Sequence, residues 1–301
     1  MSSEGAVPPA LPVVVFRLMR PHQWTKNAFC LAGLIFSGRF TDPPAIFAAV
    51  LYFALFCAAS SSMYIVNDII DCKRDLQHPK KRLRPLPSSH ISIPRARLLA
   101  LALGALALVG GLAVDRLGLI CLAAFILLQL AYSLRFKHEP LLDVAAIALG
   151  FVLRLLGGVF VVHEKPTTWI TLCTFFLALF LGFSKRRAEL GELAAQNDNP
   201  QRPVLSKYSL GSLDSLVNSM ATLAIMCYAL FTVTSGRNPS LVITVPIVVY
   251  AILHYKMLVL TRTGAQEPDR ILLYDRRIQF SILLWLIVYL CVLHADIQIF
   301  R

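Results

Sequence analysis

The stretch AIFAAVLYFALFCAASSSMYIV, residues 45–66, runs without a charge into Asn67-Asp68-Ile69-Ile70-Asp71-Cys72-Lys73-Arg74-Asp75. A helix needs about 20 mostly apolar residues to cross the hydrocarbon core of a bilayer, and 45–66 has that length. The rest of the chain repeats the pattern. Of 301 residues, 57% are hydrophobic and 15% charged, against about 45–50% and about 25% in a soluble domain; mean hydropathy is +0.66. Nine segments are predicted to span: 25–39, 45–66, 97–114, 117–134, 141–162, 168–184, 215–233, 240–260 and 277–297. The first is short and interrupted by Asn27. The expected fold is an all-α polytopic membrane protein with about nine transmembrane helices around a cavity that faces the cytosol. Leu11–Arg20, apolar with basic residues at its end, reads as an amphipathic helix in the interface. Residues 1–24 are therefore a tail and interfacial segment, and 25–301 a single transmembrane domain.

The net charge is +12, and its distribution carries the information. Residues 67–95 alone hold Lys73, Arg74, Lys80, Lys81, Arg82, Arg84 and Arg95, whereas the opposite loops hold single basic residues such as Arg116, Lys165 and Arg237. The bias of Lys and Arg towards the cytoplasmic side places the N-terminus and the long loops in the cytosol. Positive-inside topology and an anionic substrate both account for the charge, and no nucleic-acid partner is expected. Seven cysteines are present, six of them inside apolar runs and none in a C-x-x-C pair, which argues against a disulfide framework or a zinc site. Met1–Pro12 lacks the charged start and apolar core of a cleavable signal. No inverted repeat or pair of broken spans stands out, which counts against a lipid or small-anion transporter, the alternative of another class.

Asp68, Asp71 and Asp75 are spaced i, i+3, i+7, so a helix stacks them on one face. Like charges so placed repel, and a bound cation compensates them. Oxygen-only ligands suit Mg²⁺, which takes one or two carboxylates plus substrate phosphate oxygens; Mn²⁺ is the other option. Asn67, Asp68, Asp71 and Asp75 are the candidate metal ligands. The basic loop that follows, His78-Pro79-Lys80-Lys81-Arg82-Leu83-Arg84-Pro85, could clamp phosphate groups, with Arg suited to bidentate pairing; attraction to lipid headgroups is the alternative. Arg154 lies inside a predicted span, where an ionisable residue is costly and usually faces a polar cavity. It is assigned to substrate, with a structural pair to Asp143 as the alternative reading.

Asn67-Asp68-x-x-Asp71-x-x-x-Asp75, followed by Lys81-Arg82-x-Arg84-Pro85-Leu86, resembles the first motif of the UbiA-type intramembrane prenyltransferases. That resemblance implies nine helices and a Mg²⁺-diphosphate site open to the cytosol. Family members usually carry a second aspartate-rich motif after helix six, to hold a prenyl diphosphate. Here that place reads Ser184-Lys185-Arg186-Arg187-Ala188-Glu189-Leu190-Gly191-Glu192. Arg20-Pro21-His22-Gln23-Trp24-Thr25-Lys26-Asn27, Tyr132-Ser133-Leu134-Arg135-Phe136-Lys137-His138, Phe151-Val152-Leu153-Arg154, Glu267-Pro268-Asp269 and Tyr274-Asp275-Arg276 are further landmarks. Together they resemble the polyprenyl-phosphate phosphoribosyltransferase branch.

The resemblance implies an enzyme of the bacterial cytoplasmic (inner) membrane. It would move 5-phosphoribose from phosphoribosyl diphosphate (PRPP) to a polyprenyl (decaprenyl) phosphate, for cell-envelope polysaccharide synthesis. A conventional prenyltransferase with an aromatic acceptor is the rival. Expected catalytic residues are Asp68, Asp71, Asp75 and Lys185. Expected substrate-binding residues are Lys26, Arg82, Tyr132, Lys137, Arg154, Arg186 and Glu189. Expected partners are PRPP, the lipid phosphate and the bilayer, with homo-oligomerisation left open.

Overall fold

A computed structural model describes residues 10–77, 81–196, 203–236, 238–261, 271, 274–295 and 298–300. The predicted tail at 1–9, the start of the basic loop at 78–80, the turn predicted at 197–200, Arg237 and the Glu267-Pro268-Asp269 landmark lie outside them. The described residues are helical, without strands. Ten α-helices follow in order: α1 Leu11–Met19, α2 Ala32–Ser37, α3 Pro43–Asp75, α4 Ile93–Val114, α5 Arg116–Leu134, α6 Leu142–Phe160, α7 Thr168–Gln196, α8 Leu210–Thr234, α9 Val245–Thr261 and α10 Arg276–His294. Among the described residues, eight regions are long and apolar enough to cross a membrane: α3 to α8, α9 together with the 3₁₀ helix Pro239–Thr244 before it, and α10. The chain is an integral membrane protein.

The predicted first span is the exception. Pro21–Leu31 is a 3₁₀ helix that passes directly into the six-residue α2. Among the described residues, eight spans therefore stand where nine were expected, and the place of the ninth is taken by this composite segment. It packs between α3 and α6 at very close range. A Cβ on Gly158 would sit 1.9 Å from the Cys30 carbonyl oxygen, and one on Gly33 would sit 2.3 Å from the Gly158 carbonyl oxygen. Small residues at helix crossings let backbones approach in this way.

Two helices overshoot the spans read from hydropathy. α3 has 33 residues, about 50 Å at 1.5 Å per residue, against a hydrocarbon core of about 30 Å. α7 has 29 residues and overshoots similarly. The aspartate-rich segment, whose spacing predicted a helix beyond the span, and the Lys185-Arg186-Arg187 segment, expected after its span, are the projecting ends of these two helices. Hydropathy falls at the membrane edge, but nothing there breaks the helix.

The interior has small residues where α3 meets α4, with Ala58, Ala59, Ala96, Ala100 and Ala107 buried. Ser62 Oγ donates to the Ala100 carbonyl across that interface at 2.8 Å. A second region of packing joins α6, α7, α8 and α9 through Val144, Phe180, Phe183, Leu213 and Tyr255. A third gathers Phe36, Tyr228, Phe231, Trp285 and Tyr289, tying α10 to α2 and α8. α1 buries Val14 and Leu18 against Ile65 of α3 and exposes Leu11, Val13 and Phe16.

Candidate active site

Helix α3 carries the acidic motif into a ring of cations supplied by other segments. Asp68 and Asp75 are almost fully buried, each side chain 3% exposed, and Asp71 is 13% exposed. α1 ends at Arg20, whose backbone is left-handed at φ 54°. That conformation costs a non-glycine residue roughly 1–2 kcal/mol. The turn aims the Arg20 guanidinium at the Asp68 carboxylate, to which it donates, and lays it over the Tyr64 ring at 5.6 Å. Arg84 donates to both Asp68, at 3.2 Å, and Asp75, at 2.6 Å. Lys137, on the short 3₁₀ link between α5 and α6, donates to Asp71 at 2.7 Å, and Arg74 does so from one turn along α3 at 2.9 Å. The end of α1, the end of α3, the 81–92 loop and the α5–α6 link thus converge on three carboxylates.

Among the described residues, no three His, Cys, Asp or Glu side chains form a ready-made metal cage. The oxygen donors Asn67, Asp68 and Asp71 nevertheless suit a hard ion that brings its remaining ligands as water and phosphate oxygens. Beside them His138 is held below the usual imidazole range by burial and by the positive charges of Lys137 and Arg74. It is therefore neutral near pH 7 and adds no charge to the ring.

A second charged cluster braces the projecting end of α7. Arg186, 2% exposed, donates to Asp143 of α6 at 2.7 Å and to Glu189 at 3.0 Å. Asp143 also accepts from the Tyr208 hydroxyl at 3.0 Å, and that hydroxyl accepts from the Leu141 N–H at 2.6 Å. Burial, helped by the Asp143 charge, pushes the Tyr208 phenol up to about 12, so it remains a proton donor. Leu141 is itself left-handed, at φ 65°, and this bond pins it. Arg187 pairs with Asp214 of α8 at 3.0 Å. Arg186, expected to bind substrate, is therefore matched by protein carboxylates, and so is its neighbour Arg187.

Arg154 is buried at 4% exposure on α6. Asp143, its alternative partner from sequence, is taken by Arg186. Instead Arg154 donates to Asn27 Oδ1 at 2.8 Å and to the Gly150 carbonyl at 2.7 Å. Its guanidinium lies 4.4 Å from the Phe125 ring centroid, with Phe151 and Phe56 also within cation–π range. Asn27 in turn donates to Ser60 Oγ at 2.9 Å. The residue that shortens the predicted first span is thus the partner of the one arginine in α6.

Of the residues singled out from sequence, Asn67, Asp68, Asp71 and Asp75 lie together on α3, and Lys137 joins them. Arg186 and Glu189 pair at α7, with half-buried Lys185 next in sequence and half-buried Tyr132 within electrostatic reach of Arg186. Lys26 is half-buried on the 3₁₀ segment, and Arg82 is exposed. Arg84, two residues on, is the one that turns to the aspartates. Arg20 stood in a motif without a role and Arg84 in a loop suited to clamp phosphate, and neither was assigned to the aspartates. Their pairings span 48 and 16 positions, and only Pro21, which fixes the turn after Arg20, hinted at one.

The family model described as "UbiA prenyltransferase family" matches residues 27–287. Two relatives are named decaprenyl-phosphate phosphoribosyltransferase. One, from Mycolicibacterium smegmatis, is 32% identical over 94% of this chain and 95% of its own. The other, from Corynebacterium glutamicum, is 31% identical over 90% of this chain and 84% of its own. Among solved structures, a UbiA homolog from Archaeoglobus fulgidus bound to DMAPP and Mg²⁺ superposes with a TM-score of 0.72, at 21% identity, over 94% of this chain and 99% of that one.

Proposed function

The chain belongs to the UbiA prenyltransferase family, and from that premise we propose that this transferase moves 5-phosphoribose from PRPP to a polyprenyl phosphate of decaprenyl type, releasing diphosphate. The observation that carries the reading is the near-full-length likeness to two proteins named for that activity. The end of α7 supports it. Prenyl-transferring members, in the resemblance drawn from sequence, carry a second aspartate pair there. This chain has Lys185, Arg186 and Arg187, with Glu189 turned back to Arg186.

Asn67, Asp68 and Asp71 are the ligands we assign to Mg²⁺, with Asp75 acting through Arg84. When bound, the ion would neutralise negative charge on the departing diphosphate. The chain's own residues do the rest. Arg20, Arg84 and Lys137 already stand against the carboxylates, so diphosphate oxygens entering the ring would meet donors on several sides. Lys185 is the α7 cation assigned to a substrate phosphate, with Lys26 and Tyr132 lining the approach. Arg186 and Glu189 hold that end of α7 in place. Arg154 gives a buried positive floor at α6. The acceptor is a phosphate monoester, largely dianionic near pH 7 because its second pKa is about 6. Its oxygen needs no general base to attack C1, and in-line displacement inverts that carbon. The positive bias of the α3 end and its loop supports a cytosolic position for this face, at the bacterial cytoplasmic membrane.

The test uses purified protein in liposomes with labelled PRPP and decaprenyl phosphate. Asp71→Asn is the milder variant, because Asp71 is the least buried of the three. It is expected to lower transfer by at least about 100-fold, the scale of losing one preorganised electrostatic contact, while unfolding in detergent changes little. Near-normal transfer by Asp71→Asn and by Asp68→Asn would end the assignment of these residues.

A further inference from the structure

Helices α9 and α10 leave a groove of about 530 Å³ between them, lined by Ile247 and Tyr250 on one wall and Phe280 and Leu284 on the other, with Arg276 and Arg277 at its mouth. The volume lies in the range of small-ligand sites, roughly 300–1,000 Å³. Its walls are apolar and its mouth carries two exposed guanidinium groups. Neither arginine forms an ion pair among the described residues. The adjacent carboxylate, Asp275, is already occupied: it caps α10 by accepting from the Arg277 and Ile278 N–H groups, and it faces His254 at 3.3 Å. Counting crossings from α3 to α10, the arginines lie on the same membrane side as Asp68. The groove shares no residue with the acidic ring.

We propose that this groove binds an anionic phospholipid of the leaflet on the active-site side. Its phosphate would sit on Arg276 and Arg277, and the upper part of an acyl chain would run between Ile247, Tyr250, Phe280 and Leu284. Basic pockets between transmembrane helices recognise anionic headgroups by this combination of charge and apolar depth. A bilayer phospholipid fits better than the polyprenyl phosphate acceptor. From Arg277 to Leu284 the wall is seven residues, about 10 Å, which accommodates part of an acyl chain and little of a long polyprenyl chain. A lipid there fills the seam between α9 and α10, so it stabilises the helix that is otherwise tied inward through Trp285 and Tyr289.

Native mass spectrometry of the purified protein tests this, with phosphatidylglycerol, phosphatidylcholine and decaprenyl phosphate as separate probes. The wild type is expected to retain phosphatidylglycerol over phosphatidylcholine. Each basic residue near an anionic lipid surface contributes roughly a fivefold factor, so the double variant R276Q/R277Q should bind phosphatidylglycerol about 25-fold more weakly. L284W keeps both charges and fills the groove, and it should weaken the same adduct. Both variants should keep basal transfer. Equal binding of the two phospholipids, or undiminished phosphatidylglycerol binding by both variants, overturns the proposal. So does displacement of phosphatidylglycerol by equimolar decaprenyl phosphate with loss of transfer in R276Q/R277Q, which would make the groove an acceptor dock. Loss of all transfer in the wild type would refute the assigned reaction and leave the groove to be judged by the lipid adducts alone.

Discussion

Arg186 and Asp143 form the most deeply buried ion pair in the described structure, at 2.7 Å with side chains 2% and 0% exposed. Removing one partner of such a pair strands a charge and costs about 3–5 kcal/mol. The two single variants should differ within that range. Asp143→Asn leaves Arg186 with Glu189, which is 26% exposed, so the loss should lie near about 3 kcal/mol. Arg186→Met leaves the Asp143 carboxylate with only the Tyr208 hydroxyl, so the loss should approach about 5 kcal/mol. The double variant buries no unpaired charge and should fall short of the sum by about 2 kcal/mol or more. Reversible unfolding in mixed detergent micelles, followed by circular dichroism, measures all three. Single losses below about 0.5 kcal/mol, or strict additivity, would refute the reasoning. The cycle also decides what Arg186 does. A brace loses stability and transfer together, whereas a pure substrate ligand would lose transfer with its unfolding curve unmoved.

Three further outcomes follow from the packing. Gly158→Ala places a Cβ 1.9 Å from the Cys30 carbonyl oxygen, a backbone atom that cannot swing aside. Overpacking of this kind costs about 3 kcal/mol or more, to be read as loss of folded yield and of unfolding free energy. Arg154→Lys keeps the charge but cannot serve Asn27 and the Gly150 carbonyl together. It should cost about 1–3 kcal/mol in the same unfolding assay through the polar groups left unpaired. Asp275→Ala removes the α10 cap, worth about 1 kcal/mol. Burial opposes ionisation of Asp275, but the Ile278 N–H, His254 and the Arg277 N–H outweigh it and depress its pKa. A depressed carboxylate contributes stability above its unfolded pKa and loses it as pH falls through the folded value. The difference between wild type and Asp275→Ala should therefore be full at pH 7 and shrink below the usual carboxylate range, as thermal unfolding across pH would register.

The membrane architecture was legible because hydropathy reports burial in lipid directly. The predicted 97–114 and 117–134 became Ile93–Val114 and Arg116–Leu134, and 277–297 became Arg276–His294. Hydropathy misplaced the ends of α3 and α7 because it detects the edge of the apolar region, whereas a helix ends where its backbone is broken or capped. Lys73 and Arg74 in the last turn of α3 favour continuation, since cations suit a helix C-terminus. The 3₁₀ geometry of Pro21–Leu31 was hidden because it is imposed by neighbours: Asn27 is held by Ser60 and Arg154, 33 and 127 positions away. The acidic cluster was readable from i, i+3, i+7 spacing on a single helix. Its counter-charges were not, because Arg20, Arg84 and Lys137 arrive from three other segments. That Arg84 and not Arg82 pairs with the aspartates was hidden for the same reason: spacing in a loop does not say which side chain turns inward. The pairing of Arg186, expected to bind substrate, was hidden because Asp143 lies 43 residues earlier.

The most direct measurement offers the purified protein PRPP and geranylgeranyl diphosphate together, with Mg²⁺, decaprenyl phosphate and an aromatic acceptor, and weighs the lipid products by mass spectrometry. The account predicts decaprenyl phosphate carrying one added phosphoribosyl group, with diphosphate released in equal amount and the aromatic acceptor unchanged. A prenylated aromatic product beside unmodified decaprenyl phosphate would contradict it.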